Sequence, residues 1–85
     1  MLVPTECSAK ADVVFVLDTS RYNSRQDVRH IKRFARDVVK RMAFRHGNFR
    51  VGIVDFGTNA RTRLTFAEGD NKRTVKSVIG SIRWV

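Results

Sequence analysis

The order of apolar and polar residues along the chain predicts three strands and two helices. Residues 12–17 form a nearly continuous apolar run, which is typical of a short strand buried on both faces of a parallel sheet. Apolar residues recur at steps of three and four over 24–43, the spacing of an amphipathic helix. A second apolar run predicts a strand at 49–56, and alternation predicts a third at 61–66. A shorter helical pattern follows at 72–82, so the predicted order is β-α-β-β-α.

Local signals fix the ends of the predicted helices. Asn23 or Ser24 can cap the first helix, and Asp70 or Asn71 can cap the second. Gly47 suits a left-handed residue after the first helix. The first helix is expected to bury a stripe made of Val28, Ile31, Phe34, Ala35, Val38, Val39 and Met42.

The element order predicts an α/β fold. The first crossover is long enough for a right-handed parallel βαβ unit, and the short connection at 57–60 favours an antiparallel hairpin. We therefore expect a partial doubly wound, Rossmann-like sheet over residues 11–85, preceded by an N-terminal tail at residues 1–10. A chain of 85 residues builds a small core, so we expect modest stability.

Charge is the most unusual bulk property of the chain. Its formal net charge of +9 favours polyanionic partners. Two interpretations of the basic side of the first helix stay open: a solvated helix face, or a surface for a sulfated glycosaminoglycan. Nucleic acid is the less favoured polyanion, because no aromatic residues interleave with the basic ones. The candidate polyanion-binding residues are Arg29, Lys32, Arg33, Arg36 and Lys40.

Several classes of function find no support in the sequence. A glycine-rich phosphate loop and a serine–histidine–aspartate arrangement are both missing, so we expect no enzyme. His30 and His46 lack a third ligand nearby, and the single Cys7 excludes a disulfide within the chain. No apolar segment approaches the ~20 residues of a membrane span.

A carboxylate stands at the end of the first strand. Ligands of open parallel sheets bind beyond the carboxyl ends of the strands, and Asp18 and Ser20 follow the strand at i and i+2. These two oxygen side chains can converge on a hard cation such as Mg²⁺. The alternative is a helix-entry turn that Asp18 caps. Asp55, polar within an apolar strand, is expected to pair with a buried arginine or to line the top of the sheet.

Two stretches of the chain resemble the von Willebrand factor type A domain. They are A-D-V-V-F-V-L-D-T-S at 11–20 and F-R-V-G-I-V-D-F-G at 49–57, and V-I-G-S-I-R-W-V at 78–85 also fits. The chain is similar to the first half of such a domain, most of all to the copies in collagens, matrilins and other extracellular matrix proteins. The resemblance implies a secreted, non-catalytic adhesion or protein-interaction module with matrix partners such as collagen.

The same resemblance implies a metal site that is incomplete. The family commonly holds Mg²⁺ or Mn²⁺ through a D-x-S-x-S loop, completed by a threonine and an aspartate from two later loops. Asp18 and Ser20 match the first two ligands, whereas Tyr22 stands at the third position with a phenol that is too long. The two later ligands have no counterpart before Val85. We expect no tightly held cofactor, with Mg²⁺ or Mn²⁺ as the only candidates.

The first strand is central in the family's sheet, which has consequences for this shorter chain. We expect residues 12–17 to lie at an open edge and to favour self-association or a complementing partner. The first residues also lack the pattern of a signal peptide, so we expect a fragment or isoform of a secreted protein. Cys7 is then a free thiol or pairs with a cysteine outside this chain.

Overall fold

The five predicted elements are all present. The structure is a computed structural model that describes residues 10–42, 44 and 48–83. It consists, in chain order, of β1 (Ala11–Asp18), α1 (Arg25–Lys40), β2 (Phe49–Phe56), β3 (Ala60–Leu64) and α2 (Lys72–Ser81). The order β-α-β-β-α and the α/β class are therefore confirmed. Cys7, His46, Gly47 and Trp84 lie outside the described residues, as does nearly all of the predicted tail.

The strands form one mixed sheet in the order β1-β2-β3. β1 runs parallel to β2, with Ala11 opposite Phe49 and Asp18 opposite Phe56. β3 returns antiparallel to β2, as the short connection predicted. The parallel register brings the carboxyl ends of β1 and β2 to the same edge of the sheet, and this edge carries the loop that follows Asp18.

The core lies between one face of the sheet and the two helices. β1 contributes Leu17, which is buried, while Val13 and Phe15 pack partly buried against the same cluster. Among the described residues, no helix is long and apolar enough to cross a membrane. The buried residues that the other elements contribute to the core are Ala35, Val39, Met42, Phe49, Val51, Ile53, Leu64, Val75, Ile79 and Ile82.

The opposite face of the sheet is uncovered along β1. Val14 is 50% exposed and Val16 is 62% exposed, although the apolar run predicts burial on both faces. The two helices cover only one face of the sheet. The side chains of β1 therefore alternate between the covered face and the solvent, although nearly all of them are apolar. β1 is central in the family's sheet, but among the described strands of this shorter chain it lies at the edge, as we expected.

Two local expectations are wrong. Phe34 was expected in the buried stripe of α1, but it is 69% exposed. Strict alternation across 61–66 fails as well, because the register shifts between Ile53 and Val54. Val54 faces Thr62 while Ile53 faces Leu64, which leaves Arg63 as an extra residue between the two pairs. Irregularities of this kind re-aim one side chain, here Arg63, without breaking the strand pair.

Capping residues hold the helix N-termini. Ser24 caps α1 in a reciprocal pair with Asp27: its hydroxyl accepts from the Asp27 amide at 3.0 Å, and its own amide donates to the Asp27 carboxylate at 2.9 Å. Asn71 caps α2 by accepting from the Thr74 amide at 3.2 Å. The structure thus selects Ser24 and Asn71 from the two alternatives at each helix start.

Candidate functional site

The loop after β1 is folded onto Asp18. The Asp18 carboxylate accepts a hydrogen bond from the backbone amide of Ser20 at 3.0 Å. The Asn23 side chain donates to the Asp18 carbonyl at 3.2 Å, and the Asn23 amide donates to the Ser20 carbonyl at 3.1 Å. The Ser20 hydroxyl and amide, with a smaller contribution from Asn23, hold the pKa of Asp18 below its usual value. Asp18 therefore acts as an ionised acceptor that shapes this turn.

The loop is joined to β2 and β3 by a cluster of polar side chains, Thr19, Asp55 and Arg63. Thr19 is fully buried, and its amide donates to the Phe56 carbonyl at 3.0 Å. Its hydroxyl donates to Asp55 Oδ2 at 3.3 Å. Arg63 donates two hydrogen bonds to the same carboxylate, from Nε to Oδ1 at 2.6 Å and from Nη2 to Oδ2 at 3.2 Å. The pairing of Asp55 with an arginine was one of the two predicted alternatives, although Arg63 is partly exposed rather than buried.

The charge state of Asp55 follows from two opposed effects. Burial of the carboxyl raises its pKa, but the hydrogen bonds and positive charge of Arg63, helped by Thr19 and Arg61, outweigh burial and lower the pKa of Asp55 below its usual value. The same pair raises the pKa of Arg63. Sequence reasoning missed Thr19 and Arg63; the available signal was a lone carboxylate within an apolar strand beside an arginine-bearing hairpin partner.

The rim of the sheet presents an open cavity of about 230 Å³, lined by Ser20, Arg21, Tyr22, Gly57 and Thr58. Tyr22 is 100% exposed. The structure places Asp18 and Ser20 next to each other in this turn, through the Ser20 amide, and leaves the Tyr22 side chain in solvent. Tyr22 thus belongs to a loop in which the neighbouring Thr19 is buried.

Among the described residues, the rim brings together two of the oxygen side chains expected of the metal site, Asp18 and Ser20. The Asp18 carboxylate accepts from the Ser20 amide through Oδ1, and Tyr22, at the position of the expected third ligand, is fully exposed. Within residues 10–42, 44 and 48–83, no group of three or more histidine, cysteine, aspartate or glutamate side chains is placed to hold an ion.

The predicted polyanion-binding residues of α1 separate into two groups. Lys32 donates from Nζ to the carbonyls of Gly80 at 3.0 Å and Ile82 at 2.6 Å, which places it at the C-terminus of α2. Burial lowers the pKa of Lys32, and the neighbouring cations Arg36, Arg29 and Arg83 add to this shift. The remaining candidates are exposed: Arg29, Arg33, Arg36 and Lys40.

Residues of α2 and of the segment after it join the exposed cations of α1 around two open cavities. One has a volume of about 400 Å³ and is lined by Arg25, Val28, Arg29, Lys32, Ile82 and Arg83. The other has a volume of about 420 Å³ and is lined by Arg33, Arg36, Asp37, Lys40 and Lys76. Sequence reasoning missed Lys76 and Arg83, because it considered the basic stripe of the first helix alone.

Comparison with known proteins agrees with the fold. The family model of the von Willebrand factor type A domain matches residues 12–84. The chain is 32% identical over 65 residues to the collagen alpha-6(VI) chain of Mus musculus, which covers 76% of this chain and 3% of the collagen. It is 25% identical over 76 residues to von Willebrand factor A domain-containing protein 1 of Rattus norvegicus, which covers 89% of this chain and 18% of that protein. The chain thus spans only a small part of these relatives.

Solved structures show the same architecture. Proximal thread matrix protein 1 from the mussel byssus, with zinc in its MIDAS motif, superposes with a TM-score of 0.80 at 22% identity, over 96% of this chain and 22% of that one. A second crystal form of that protein gives a TM-score of 0.78 at 21% identity, over 93% of this chain and 21% of that one. At this identity the likeness shows the fold alone. The family match over residues 12–84 establishes that the chain belongs to the von Willebrand factor type A domain family.

Proposed function

We propose that the chain is a non-catalytic interaction module of the extracellular matrix, which binds matrix proteins such as collagen through the rim beyond β1. The collagen relative supports the matrix setting and an extracellular location. The observation that carries the proposal is the fully exposed Tyr22 on a loop fixed by Asp18 and by the buried Thr19.

Tyr22 is the contact residue of this proposal. Tyrosine is enriched among the residues that dominate protein–protein binding, because it offers a large contact area at low cost in conformational entropy. The loop that carries Tyr22 is held by the hydrogen bonds among Thr19, Asp55 and Arg63, so the backbone of the loop needs little further ordering on binding. Binding at the rim then proceeds with no tightly held metal ion, through an incomplete adhesion site.

Binding of the chain to immobilised collagens, measured by surface plasmon resonance with Mg²⁺ and with EDTA, tests this function. We expect Tyr22→Ala to weaken binding by about tenfold, the effect of losing a moderate contact residue. Phe34→Ala is the matched control, because Phe34 is an exposed aromatic residue on α1, away from the rim. EDTA should change nothing. Binding that requires Mg²⁺ and is lost on Asp18→Ala would instead show that the rim holds a working metal site. Equal losses of affinity for both aromatic variants would show that the ligand does not bind at the rim.

A second candidate function is the binding of a sulfated glycosaminoglycan by the basic residues of α1. The observation that favours it is the grouping of Arg33, Arg36 and Lys40 around one open cavity. Reversal of the charges of Arg29, Arg33 and Arg36 should abolish retention on immobilised heparin at 150 mM salt, with no effect of a chelator.

Self-association is the remaining partner proposal. β1 lies at the edge of the sheet and exposes Val14 and Val16 beside that edge. Exposed strand edges with apolar side chains tend to pair with another chain.

A further inference from the structure

The basic surface extends beyond α1. We propose that the glycosaminoglycan site is a groove built by α1 and α2 together, in which Lys76 and Arg83 bind the same extended sulfated chain as Arg29, Arg33 and Arg36. This inference rests on the second candidate function and adds to it the residues after β3 and the extended form of the ligand. Lys32, a candidate from the sequence, is assigned to holding the groove together.

Two lysines link the helices, one from α1 to the end of α2 and one from α2 to the end of α1. Lys32 of α1 donates to the carbonyls of Gly80 and Ile82 at the end of α2, at 3.0 and 2.6 Å. Lys72 at the start of α2 donates to the Lys40 carbonyl at the end of α1, at 3.0 Å. The helices therefore pack antiparallel, and each lysine neutralises the negative end of the partner's helix dipole. The line of contact between α1 and α2, called the seam below, thus has a fixed geometry, and so do the backbone positions that carry the cations on either side of it.

The exposed cations of α1 have the length of a polymer site. Arg29, Arg33, Arg36 and Lys40 follow one another at steps of four, three and four residues, which keeps them on one side of the helix. At 1.5 Å per residue this row is about 16 Å long. Such a length exceeds a single sulfate several times over, so it fits an extended chain that carries sulfates at intervals.

The groove gains its second wall from α2 and the segment after it. Lys76 lines one cavity with Arg33 and Arg36, and Arg83 lines the other with Arg29. Arg36 lies close to the seam, because a Cβ added to Gly80 would be 3.8 Å from its Nη1 atom. The charges of Arg29, Arg36 and Arg83 all act on Lys32 and help to lower its pKa, so these cations converge from both sides of the seam.

The chemistry of the lining favours a sulfated polysaccharide over a single-stranded nucleic acid. Single-stranded nucleic acids are held by aromatic side chains on which bases stack. Neither cavity has an aromatic lining residue within the described part of the chain. Phe34, the exposed aromatic of α1, borders a different cavity with Asp37, Val38 and Arg41. The groove thus offers charge without stacking, and Asp37 is the one carboxylate among its lining residues.

A pair of charge-matched double variants of the 85-residue chain tests the groove. Lys76→Gln/Arg83→Gln removes two cations from the α2 side. Lys10→Gln/Arg61→Gln removes two exposed cations away from the groove, one just before β1 and one in β3. The affinity of each for a heparin oligosaccharide is measured between 50 and 200 mM salt. We expect the first variant to bind about five- to tenfold more weakly, with a salt dependence reduced by about two released counterions. The control should change by less than about twofold. Thermal melting checks that both variants remain folded.

Each other outcome overturns a defined part of the inference. Equal weakening by the two double variants would mean that heparin senses net charge, which removes the groove but leaves polyanion binding in place. Failure of the unchanged chain to bind heparin would remove the second candidate function and the groove with it. Equal affinity for a single-stranded DNA oligonucleotide, with the same loss in the first variant, would keep the groove but overturn its selectivity for a sulfated polysaccharide.

Discussion

At the scale of single residues, Asp55 ties the rim of the sheet to the hairpin. Its carboxylate accepts from Thr19 on one side and from Arg63 on the other, so one buried charge joins the loop after β1 to β3. The register shift next to Ile53 makes this contact compatible with the burial of Leu64. A buried carboxylate with partners on both sides fixes their relative positions, and the cost of breaking it is the desolvation of an unpaired charge.

We predict that Arg63→Gln lowers the free energy of unfolding by about 1–3 kcal/mol at pH 7, because it leaves the buried Asp55 carboxylate without its cationic partner. The pKa of Asp55 is lowered in the folded chain, so the contribution of the pair is fully present above the unfolded pKa of about 4 and is lost as pH falls through the folded value. The stability difference between the original chain and the variant should therefore shrink below about pH 4.

Urea unfolding between pH 2 and pH 7 measures this difference. Arg61→Gln is the matched control, since Arg61 is an exposed arginine in the same strand and contributes only a weak charge effect to Asp55. A loss of stability in the Arg63 variant that stays constant down to pH 2 would assign the effect to side-chain packing and not to the ion pair.

At the scale of the secondary-structure elements, the lysine links between α1 and α2 decide how the helices pack. Lys32 and Lys72 satisfy carbonyl groups at the two helix C-termini, which would otherwise lack partners inside their own helices. The apolar stripes, with Ala35, Val39, Val75 and Ile79, bury the contact with the sheet. The lysines add direction to this packing, because each finds its carbonyl only when the helices run antiparallel.

We predict that Lys32→Met lowers the free energy of unfolding by about 1–3 kcal/mol, since hydrogen bonds from a charged donor to two carbonyls are lost while the apolar stem is kept. Arg33→Met, one residue along on the exposed side of α1, should stay within about 0.5 kcal/mol of the original chain. Chemical denaturation of both variants measures the contrast, and equal stabilities would show that the links are dispensable.

At the scale of the whole molecule, the sheet is covered on one side only along β1. The helices bury Leu17 on one face, while Val14 and Val16 face solvent on the other. β1 is also the edge strand, with β2 as its neighbour in the sheet. An exposed apolar face beside a strand edge favours pairing with another chain, so we propose that this region governs self-association of the 85-residue chain.

We predict that the chain self-associates in a concentration-dependent manner and that Val16→Lys suppresses this, because an ammonium group cannot be buried in the paired face without large cost. Sedimentation velocity over a hundredfold concentration range measures the effect. Phe34→Lys is the control, since it adds the same charge at an exposed apolar position on α1. A monomer at every concentration, with a sharp and reversible melt, would contradict self-association through β1.

The sequence by itself determined the elements and their order, because apolar periodicity and capping residues are local properties of the chain. The family was indicated by the resemblance of residues 11–20 and 49–57. It also brought forward Asp18 and Ser20, since a strand end is visible in the sequence. The tertiary structure decided which partner satisfies each polar group: Arg63 for Asp55, Ser20 for Asp18, and the end of α2 for Lys32.

The same division explains what sequence reasoning got wrong or missed. Burial of Phe34 and the alternation across β3 depend on how elements meet, which periodicity cannot express. Lys76 and Arg83 become neighbours of the α1 cations only after α2 docks antiparallel to α1. Charge and hydrogen bonding act through space over a few ångströms, so contacts between residues distant in the chain exist only once the fold has brought them together.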